Sequence, residues 1–220
     1  MLSGPSYIPT NPKQVLFLCH GYGANGDDLM GLAPALAAHF PQMAFFAPNG
    51  IMPMLGGGYE WFSLHDFVPD RFVSPDFMDD MVHRVKPAAD AFKKYFSKTL
   101  ADLGLSESDA VIAGFSQGGL LAQYTALTLD KPVAGVIGFS SVPLLFKSAL
   151  PVEMVKQHLP VLLTHGDMDP VVPARALSMS IAELNKAGQK VTSYIAPNLG
   201  HGIDGGCVEE AVKFMNAVLP

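Results

Sequence analysis

Ser116 stands in a Gly-x-Ser-x-Gly pattern, within Gly114-Phe115-Ser116-Gln117-Gly118-Gly119. The apolar run before it predicts a strand, and residues 117–129 have helical character. A strand, a tight turn and a helix in this order hold the serine hydroxyl above the C-terminal edge of a parallel sheet, in front of a helix N-terminus. Because glycines beside the serine let strand and helix pack closely, the context favours a nucleophile over a serine that only caps a helix.

A serine nucleophile needs an imidazole to accept its proton and a carboxylate to orient that imidazole. On the predicted fold these residues follow the serine in the order acid, then histidine. Of the seven histidines, only His201 follows both the serine and the candidate acids. Asp167 and Asp169 both lie just past a predicted strand at 161–165, and spacing does not decide between them. We expect one to be the triad acid and the other to bind backbone N–H groups in the turn.

The same mechanism needs two backbone N–H donors for a developing oxyanion, one directly after the nucleophile and one in the loop after an early strand. Gln117 supplies the first by position, and Tyr22, in His20-Gly21-Tyr22-Gly23, is the candidate for the second. These glycines do not form a phosphate-binding loop, because no Gly-Lys-Ser/Thr follows them. The sequence also lacks a His-Glu-x-x-His motif or clustered ligands, so we expect neither a metal nor a cofactor.

The elements that must position these residues alternate between short apolar strands and helices. This alternation predicts an α/β fold with a mainly parallel sheet covered by helices on both faces. Strands are predicted at 15–19, 43–47, 110–115, 133–139, 161–165 and 191–195. Helices are predicted from 27 to 37 and at 79–103, 117–129, 173–187 and 207–218, with a kink or division of the second at Pro87.

Length and charge restrict the function classes. The 220 residues suit one domain spanning 1–220, and a net charge of −6 without a basic cluster argues against nucleic acid and against anionic membranes as partners. We expect no signal peptide and no membrane-spanning segment. The two cysteines, Cys19 and Cys207, fit no metal or redox spacing. A soluble protein of the reducing cytoplasm is the simplest interpretation.

The segment 51–78 is rich in aromatic residues. It holds six of the chain's 21, namely Tyr59, Trp61, Phe62, Phe67, Phe72 and Phe77. It is too apolar for a disordered linker, and long loops in compact domains are usually functional. We therefore predict a hydrophobic wall or lid for an acyl group, formed by Met54, Leu55, Trp61 and Phe62 on a glycine hinge at 56–58. The alternative is a covering that packs on the sheet without touching substrate.

These motifs together resemble the phospholipase/carboxylesterase family, the acyl-protein thioesterase-like branch of the α/β-hydrolases. The resemblance is carried by Cys19-His20-Gly21-Tyr22-Gly23, Trp61-Phe62, the serine motif, His165-Gly166-Asp167-Met168-Asp169-Pro170-Val171-Val172-Pro173 and Gly200-His201-Gly202. It spans about 15–218. It implies Ser116 as nucleophile, Asp169 as the acid, His201 as the base, and the N–H groups of Tyr22 and Gln117 as oxyanion donors.

The expected function is a serine carboxylesterase that hydrolyses ester or acyl-thioester bonds of apolar acyl substrates through an acyl-enzyme. Alternatives within the class are lysophospholipase or acyl-protein thioesterase as the main activity. A serine peptidase would be expected to carry an extra domain, and a non-catalytic binding module would be expected to have lost a triad residue. The resemblance also makes a homodimer an expectation.

Overall fold

A computed structural model describes residues 2–64, 75–142, 144 and 155–220, with the side chains of 75–78 left out. Its main sheet has seven strands: β1 (Ser6–Tyr7), β2 (Gln14–Cys19), β3 (Met43–Phe46), β6 (Ala110–Phe115), β7 (Gly135–Phe139), β8 (Pro160–Gly166) and β9 (Lys190–Ala196). A separate hairpin pairs β4 (Met52–Pro53) with β5 (Tyr59–Glu60). The helices are α1 (Gly26–Met30), α2 (Ala33–Ala37), α3 (Pro75–Leu103), α4 (Gln117–Thr128), α5 (Arg175–Lys186) and α6 (Gly205–Val218).

The sheet order is β1-β3-β2-β6-β7-β8-β9, and every pairing is parallel except that of β1 with β3. The loops after β2, β6, β8 and β9 therefore emerge at one edge, where carboxyl ends of parallel strands form ligand sites. These loops carry Tyr22, Ser116, Asp169 and His201. The expected mainly parallel sheet is confirmed.

Alternate residues of each central strand point to opposite faces of the sheet, so helices must cover both. In β2, Phe17 joins a core beneath α3, α4 and α5, whereas Leu16 and Leu18 join a second core beneath α1, α2 and α6. Both clusters consist of buried apolar side chains. Helix α4, which follows Ser116, is buried along its whole length, and this fixes the turn at its N-terminus.

The structure differs in part from two of the helix predictions. The helix predicted from 27 to 37 is two helices, because Pro34 lies in the first turn of α2, where a proline without an N–H begins a helix. Helix α3 is continuous through Pro87 and is not divided there. Its buried residues Val85, Ala88 and Phe92 lie on both sides of the proline and pack in one core, so tertiary packing outweighs one lost backbone hydrogen bond.

The segment expected to be irregular from residue 51 contains the β4–β5 hairpin, whose turn includes Gly56, Gly57 and Gly58. Gly58 has a φ of 77°, and a Cβ there would collide with the carbonyl oxygen of Gly23. The hairpin therefore packs against the loop after β2. Phe67 and Phe72 lie outside the described residues, as does the side chain of Phe77. Among the helices of the described chain, none is long and apolar enough to cross a bilayer.

Candidate active site

Ser116 occupies a strained backbone conformation between β6 and α4. Its φ of 53° and ψ of −113° place a residue with a side chain in a region that non-glycine residues rarely adopt. The backbone tolerates this because the Ser116 N–H donates to the Phe139 carbonyl at 2.9 Å and its carbonyl accepts from Gly119 and Val142. Such a turn lifts the hydroxyl out of the sheet edge, although Ser116 as a whole is only 8% exposed.

The glycines around Ser116 are required by close backbone contacts. A Cβ at Gly118 would collide with the carbonyl oxygens of Cys19 and His20, and one at Gly114 would collide with the Gly118 carbonyl. At Gly119 a Cβ would come within 2.6 Å of the Ser141 side chain. The start of α4 thus lies directly against the end of β2, which brings the two expected oxyanion donors onto one edge.

His201 and Asp169 meet across the same edge. The His201 Nδ1–H donates to Asp169 Oδ2 at 2.7 Å. In the neutral imidazole with this tautomer, Nε2 carries no proton and can accept one. The imidazole also packs on Phe115, with ring centroids 4.8 Å apart, directly before Ser116 in the chain. The loop is fixed by hydrogen bonds from Ser140 Oγ to the Gly202 carbonyl and from the Met168 N–H to the Leu199 carbonyl.

The expected division of labour between the two aspartates is wrong. The Asp169 Oδ1 itself accepts from the backbone N–H groups of Val171 and Val172, at 2.8 and 2.9 Å, while Oδ2 faces His201. Asp169 is buried and Asp167 is exposed. One carboxylate therefore both closes the turn and orients the imidazole, because its two oxygens point in different directions.

A second imidazole touches the acid, and the sequence analysis missed it. His165 is buried at the end of β8, and its Nε2–H donates to the Val172 carbonyl at 2.7 Å. The same nitrogen lies 3.3 Å from Asp169 Oδ2. Its position four residues before Asp169, at the end of a predicted strand, was the available signal. Asp169 Oδ2 thus lies between the His201 ring, which donates to it, and the His165 ring, whose Nε2–H donates to the Val172 carbonyl instead.

Asp169 is held as a carboxylate. Burial alone would raise its pKa, but the hydrogen bond from His201 and the N–H groups of Val172 and Val171 lower it, and the net pKa lies below the usual value. An ionised Asp169 is what a positively charged imidazole needs as a partner during catalysis.

The two expected oxyanion donors are the backbone N–H groups of Tyr22 and Gln117. Within the described part of the chain, neither the Tyr22 N–H nor the Gln117 N–H donates to a protein acceptor. Gln117 is the first residue of α4, where backbone N–H groups have no partner inside the helix. Tyr22 lies in residues 20–24, which we name the oxyanion loop. The Gln117 N–H at the N-terminus of α4, together with the Tyr22 N–H in the oxyanion loop, suits a developing negative charge.

The structure places the four predicted wall residues in two different environments. Trp61 has no exposed surface and Phe62 is 3% exposed, and both belong to the core beneath α3. Trp61 therefore does not face a substrate in this structure, since its indole is enclosed by other side chains. Leu55 is fully exposed at the hairpin tip, and Met54 beside it is half-buried. An apolar composition alone could not distinguish these positions.

Apolar side chains also project from the catalytic loops. Tyr22 is 43% exposed on the oxyanion loop and Met168 is 65% exposed beside Asp169. Met168 was not among the predicted residues, although an apolar residue between two aspartates in a catalytic loop was a usable signal. Both side chains therefore lie in loops that carry expected catalytic groups.

Comparison with known proteins identifies the family of the chain. The sequence matches the phospholipase/carboxylesterase family over residues 9–219. The chain belongs to this family. Acyl-protein thioesterase 1 of Aspergillus fumigatus is 29% identical over 98% of the chain and 93% of the relative, and the protein of that name from Emericella nidulans is 25% identical over 100% and 97%. The crystal structure of esterase PE8 superposes with a TM-score of 0.86 at 30% identity over 99% of both chains.

Membership in the phospholipase/carboxylesterase family confirms the predicted α/β-hydrolase fold and the predicted class of enzyme. The protein is a hydrolase of the ester and thioester type, with named esterases and thioesterases among its relatives. Arabidopsis thaliana SOBER1, at 21% identity and a TM-score of 0.79, shares the fold.

Proposed function

We propose that the protein hydrolyses esters and thioesters of apolar acyl groups, with Ser116, His201 and Asp169 as its triad. The observation that carries this proposal is the 2.7 Å hydrogen bond from His201 Nδ1 to Asp169. It fixes the tautomer whose Nε2 can accept a proton, in a ring packed on the residue before the strained Ser116. A nucleophilic serine with a histidine base and an orienting carboxylate requires these features together.

In the proposed mechanism, Ser116 Oγ attacks the acyl carbonyl carbon while His201 Nε2 takes the hydroxyl proton. The carbonyl oxygen becomes an oxyanion that accepts hydrogen bonds from the Tyr22 and Gln117 N–H groups. Collapse breaks the bond to the alcohol or thiol, which leaves with the proton from His201. Water, deprotonated by His201, then attacks the acyl-enzyme, and the carboxylic acid is released as Ser116 regains its proton.

An apolar acyl group is supported by the side chains that project near these residues. Tyr22, Leu55 and Met168 are exposed and lie on the oxyanion loop, the hairpin tip and the acid loop. Burial of each acyl methylene against such groups contributes up to ~0.8 kcal/mol, about a fourfold rise in kcat/KM per carbon. Since relatives are named acyl-protein thioesterases, an acyl-thioester is a substrate class to test alongside simple esters.

The test is a panel of p-nitrophenyl esters from acetyl to dodecanoyl, with an acyl-thioester and a lysophospholipid. Ser116→Ala should abolish turnover of all of them and labelling by a fluorophosphonate, while circular dichroism stays unchanged. Turnover by Ser116→Ala within about tenfold of the wild type would refute the nucleophile assignment. The double variant Leu55→Ala, Met168→Ala should lose the dependence on chain length and keep acetyl ester hydrolysis.

We further propose that the enzyme works as a homodimer in the cytoplasm. Both cysteines are free and buried, as suits a reducing compartment. Sedimentation velocity across a range of concentrations tests the assembly, and fractionation of the source cells tests the location.

A further inference from the structure

The oxyanion loop is attached to the segment 49–62 on both sides of Tyr22. Before it, the Gly50 N–H donates to His20 Nε2 at 2.9 Å, and the His20 Nδ1–H donates to the Gly21 carbonyl at 2.7 Å. After it, the Gly23 N–H donates to the Tyr59 carbonyl at 3.0 Å, and the Tyr59 N–H donates to the Ala24 carbonyl at 2.7 Å. The position of the Tyr22 N–H therefore depends on this segment.

Trp61 makes a further buried attachment to His20. Its indole Nε1–H donates to the His20 carbonyl at 2.9 Å, and its ring stacks on the His20 imidazole with centroids 5.2 Å apart. Phe92 packs edge-on against the indole at 6.2 Å. His20 is itself completely buried, so its carbonyl has no solvent to replace the indole as a donor.

The side chain of Gln117 connects the same segment to α4. Its Oε1 accepts from the Trp61 N–H at 2.9 Å, and its Nε2 donates to the Phe62 carbonyl at 2.7 Å. Both bonds are buried, and together they pair the amide with two successive backbone groups. Gln117 thus offers its backbone N–H to the oxyanion and its side chain to the segment that holds Tyr22.

We propose that Trp61 and the Gln117 side chain are positioning residues that set the separation of the two oxyanion donors. We name Trp61, His20 and the Gln117 amide the oxyanion support. The proposal rests on the proposed serine mechanism, and it gives Trp61 a role in transition-state stabilisation in place of substrate contact. Oxyanion donors act only when both lie within hydrogen-bond distance of one oxygen, so a small displacement of either lowers the rate.

Trp61→Phe tests the indole bond, since phenylalanine keeps an aromatic ring against His20 but has no N–H. We expect kcat to fall about 10- to 100-fold, which does not exceed the fall in kcat caused by removing a whole oxyanion donor. The fall should be equal for acetyl, butyryl and octanoyl esters, with KM changed less than about threefold. The inhibition constant of a trifluoromethyl ketone, whose adduct places an oxyanion in the same site, should rise in parallel.

Gln117→Met is the second variant, because methionine has a similar length, keeps the backbone N–H and makes neither amide hydrogen bond. It should reproduce the loss of kcat and of inhibitor affinity, and it carries the test should Trp61→Phe fail to fold. Phe96→Leu is the matched control, since Phe96 is buried in the same core and packs on Phe17 at 4.9 Å. It should lower the melting temperature and leave kcat unchanged at a temperature well below unfolding.

Parallel losses of kcat and inhibitor affinity in both variants support the proposal. A loss that grows with acyl length would instead make Trp61 part of a substrate wall and overturn it. Wild-type kcat and inhibitor affinity in folded Trp61→Phe and Gln117→Met would also overturn the proposal, because the contacts of these two side chains would then serve stability alone. Because Ser116-dependent turnover of the wild type is measured in the same assay, these outcomes are distinct from failure of the proposed hydrolase function.

Discussion

Replacement of Asp169 by asparagine should separate the two tasks of this carboxylate. In the wild type, Asp169 Oδ1 accepts hydrogen bonds from the Val171 and Val172 N–H groups at 2.8 and 2.9 Å. In Asp169→Asn the amide oxygen can still accept both. The amide NH2 of the variant then faces His201, in the position where the wild-type carboxylate accepts a hydrogen bond from His201 Nδ1 at 2.7 Å. An NH2 group donates and cannot accept, so His201 Nδ1 must lose its proton and Nε2 must gain one. That tautomer cannot take the proton of Ser116.

The expected loss in kcat is about 10⁴-fold, equivalent to about 5.4 kcal/mol of transition-state stabilisation. The free energy of unfolding should change much less, by about 1 kcal/mol. The turn keeps both backbone hydrogen bonds, and only their acceptor changes from a charged carboxylate oxygen to a neutral amide oxygen. The assay is kcat for p-nitrophenyl butyrate, with urea unfolding of the same preparations.

Asp167→Asn is the matched control, since Asp167 is exposed and two residues away. Its kcat should remain within about twofold of wild type and its unfolding free energy within about 0.5 kcal/mol. A kcat of Asp169→Asn within about tenfold of wild type would refute the tautomer argument. A larger loss of kcat in Asp167→Asn than in Asp169→Asn would make Asp167 the triad acid.

Two further predictions concern the buried histidines. His165→Phe removes the hydrogen bond from His165 Nε2 to the Val172 carbonyl, which holds the turn around Asp169, so kcat should fall about tenfold. His165→Gln, which can donate to Val172 again, should recover part of the loss, and equal rates in both variants would contradict this role. Burial lowers the pKa of His20, although its bond to Gly21 and the charge of Asp28 oppose this, so the unfolded chain takes up a proton near pH 6.5 while the folded chain does not. The contribution of His20 to the free energy of unfolding is therefore fully present above about pH 6.5. It falls as the pH drops from there towards the pKa of His20 in the folded protein, by up to ~1.4 kcal/mol per pH unit. Urea unfolding at pH 7.5 and 5.5 should show a smaller pH dependence in His20→Asn than in wild type, and equal dependence would refute it.

The sequence predicted the elements that carry the chemistry because their signals are local. An apolar strand, a glycine-flanked serine and an apolar helix follow one another at Ser116, and the observed β6 and α4 begin where expected. The order of acid and histidine along the chain singled out His201, and its contact with Asp169 is found at the expected sheet edge.

Features that depend on contacts distant in sequence were not predictable in this way. The Gln117 amide pairs with backbone groups of residues 61 and 62, whose distance along the chain gives no pattern to detect. Trp61 was expected at the substrate because an aromatic loop residue and a core residue look alike in composition, whereas burial is set by the neighbouring α3 and His20. The two roles of Asp169 depend on the direction in which each carboxylate oxygen points, and the spacing of residues along the sequence holds no information about that direction.

Trp61 is the only tryptophan in the chain, so its fluorescence reports on one place. Its indole stacks on the His20 ring and donates to the His20 carbonyl. Emission excited at the indole band therefore follows the loop that carries the Tyr22 N–H, without any label. Loosening of this loop should shift the emission to longer wavelengths as water reaches the indole, and a protonated His20 should quench it. Comparison of this signal with circular dichroism during unfolding would show whether the oxyanion loop opens before the sheet does.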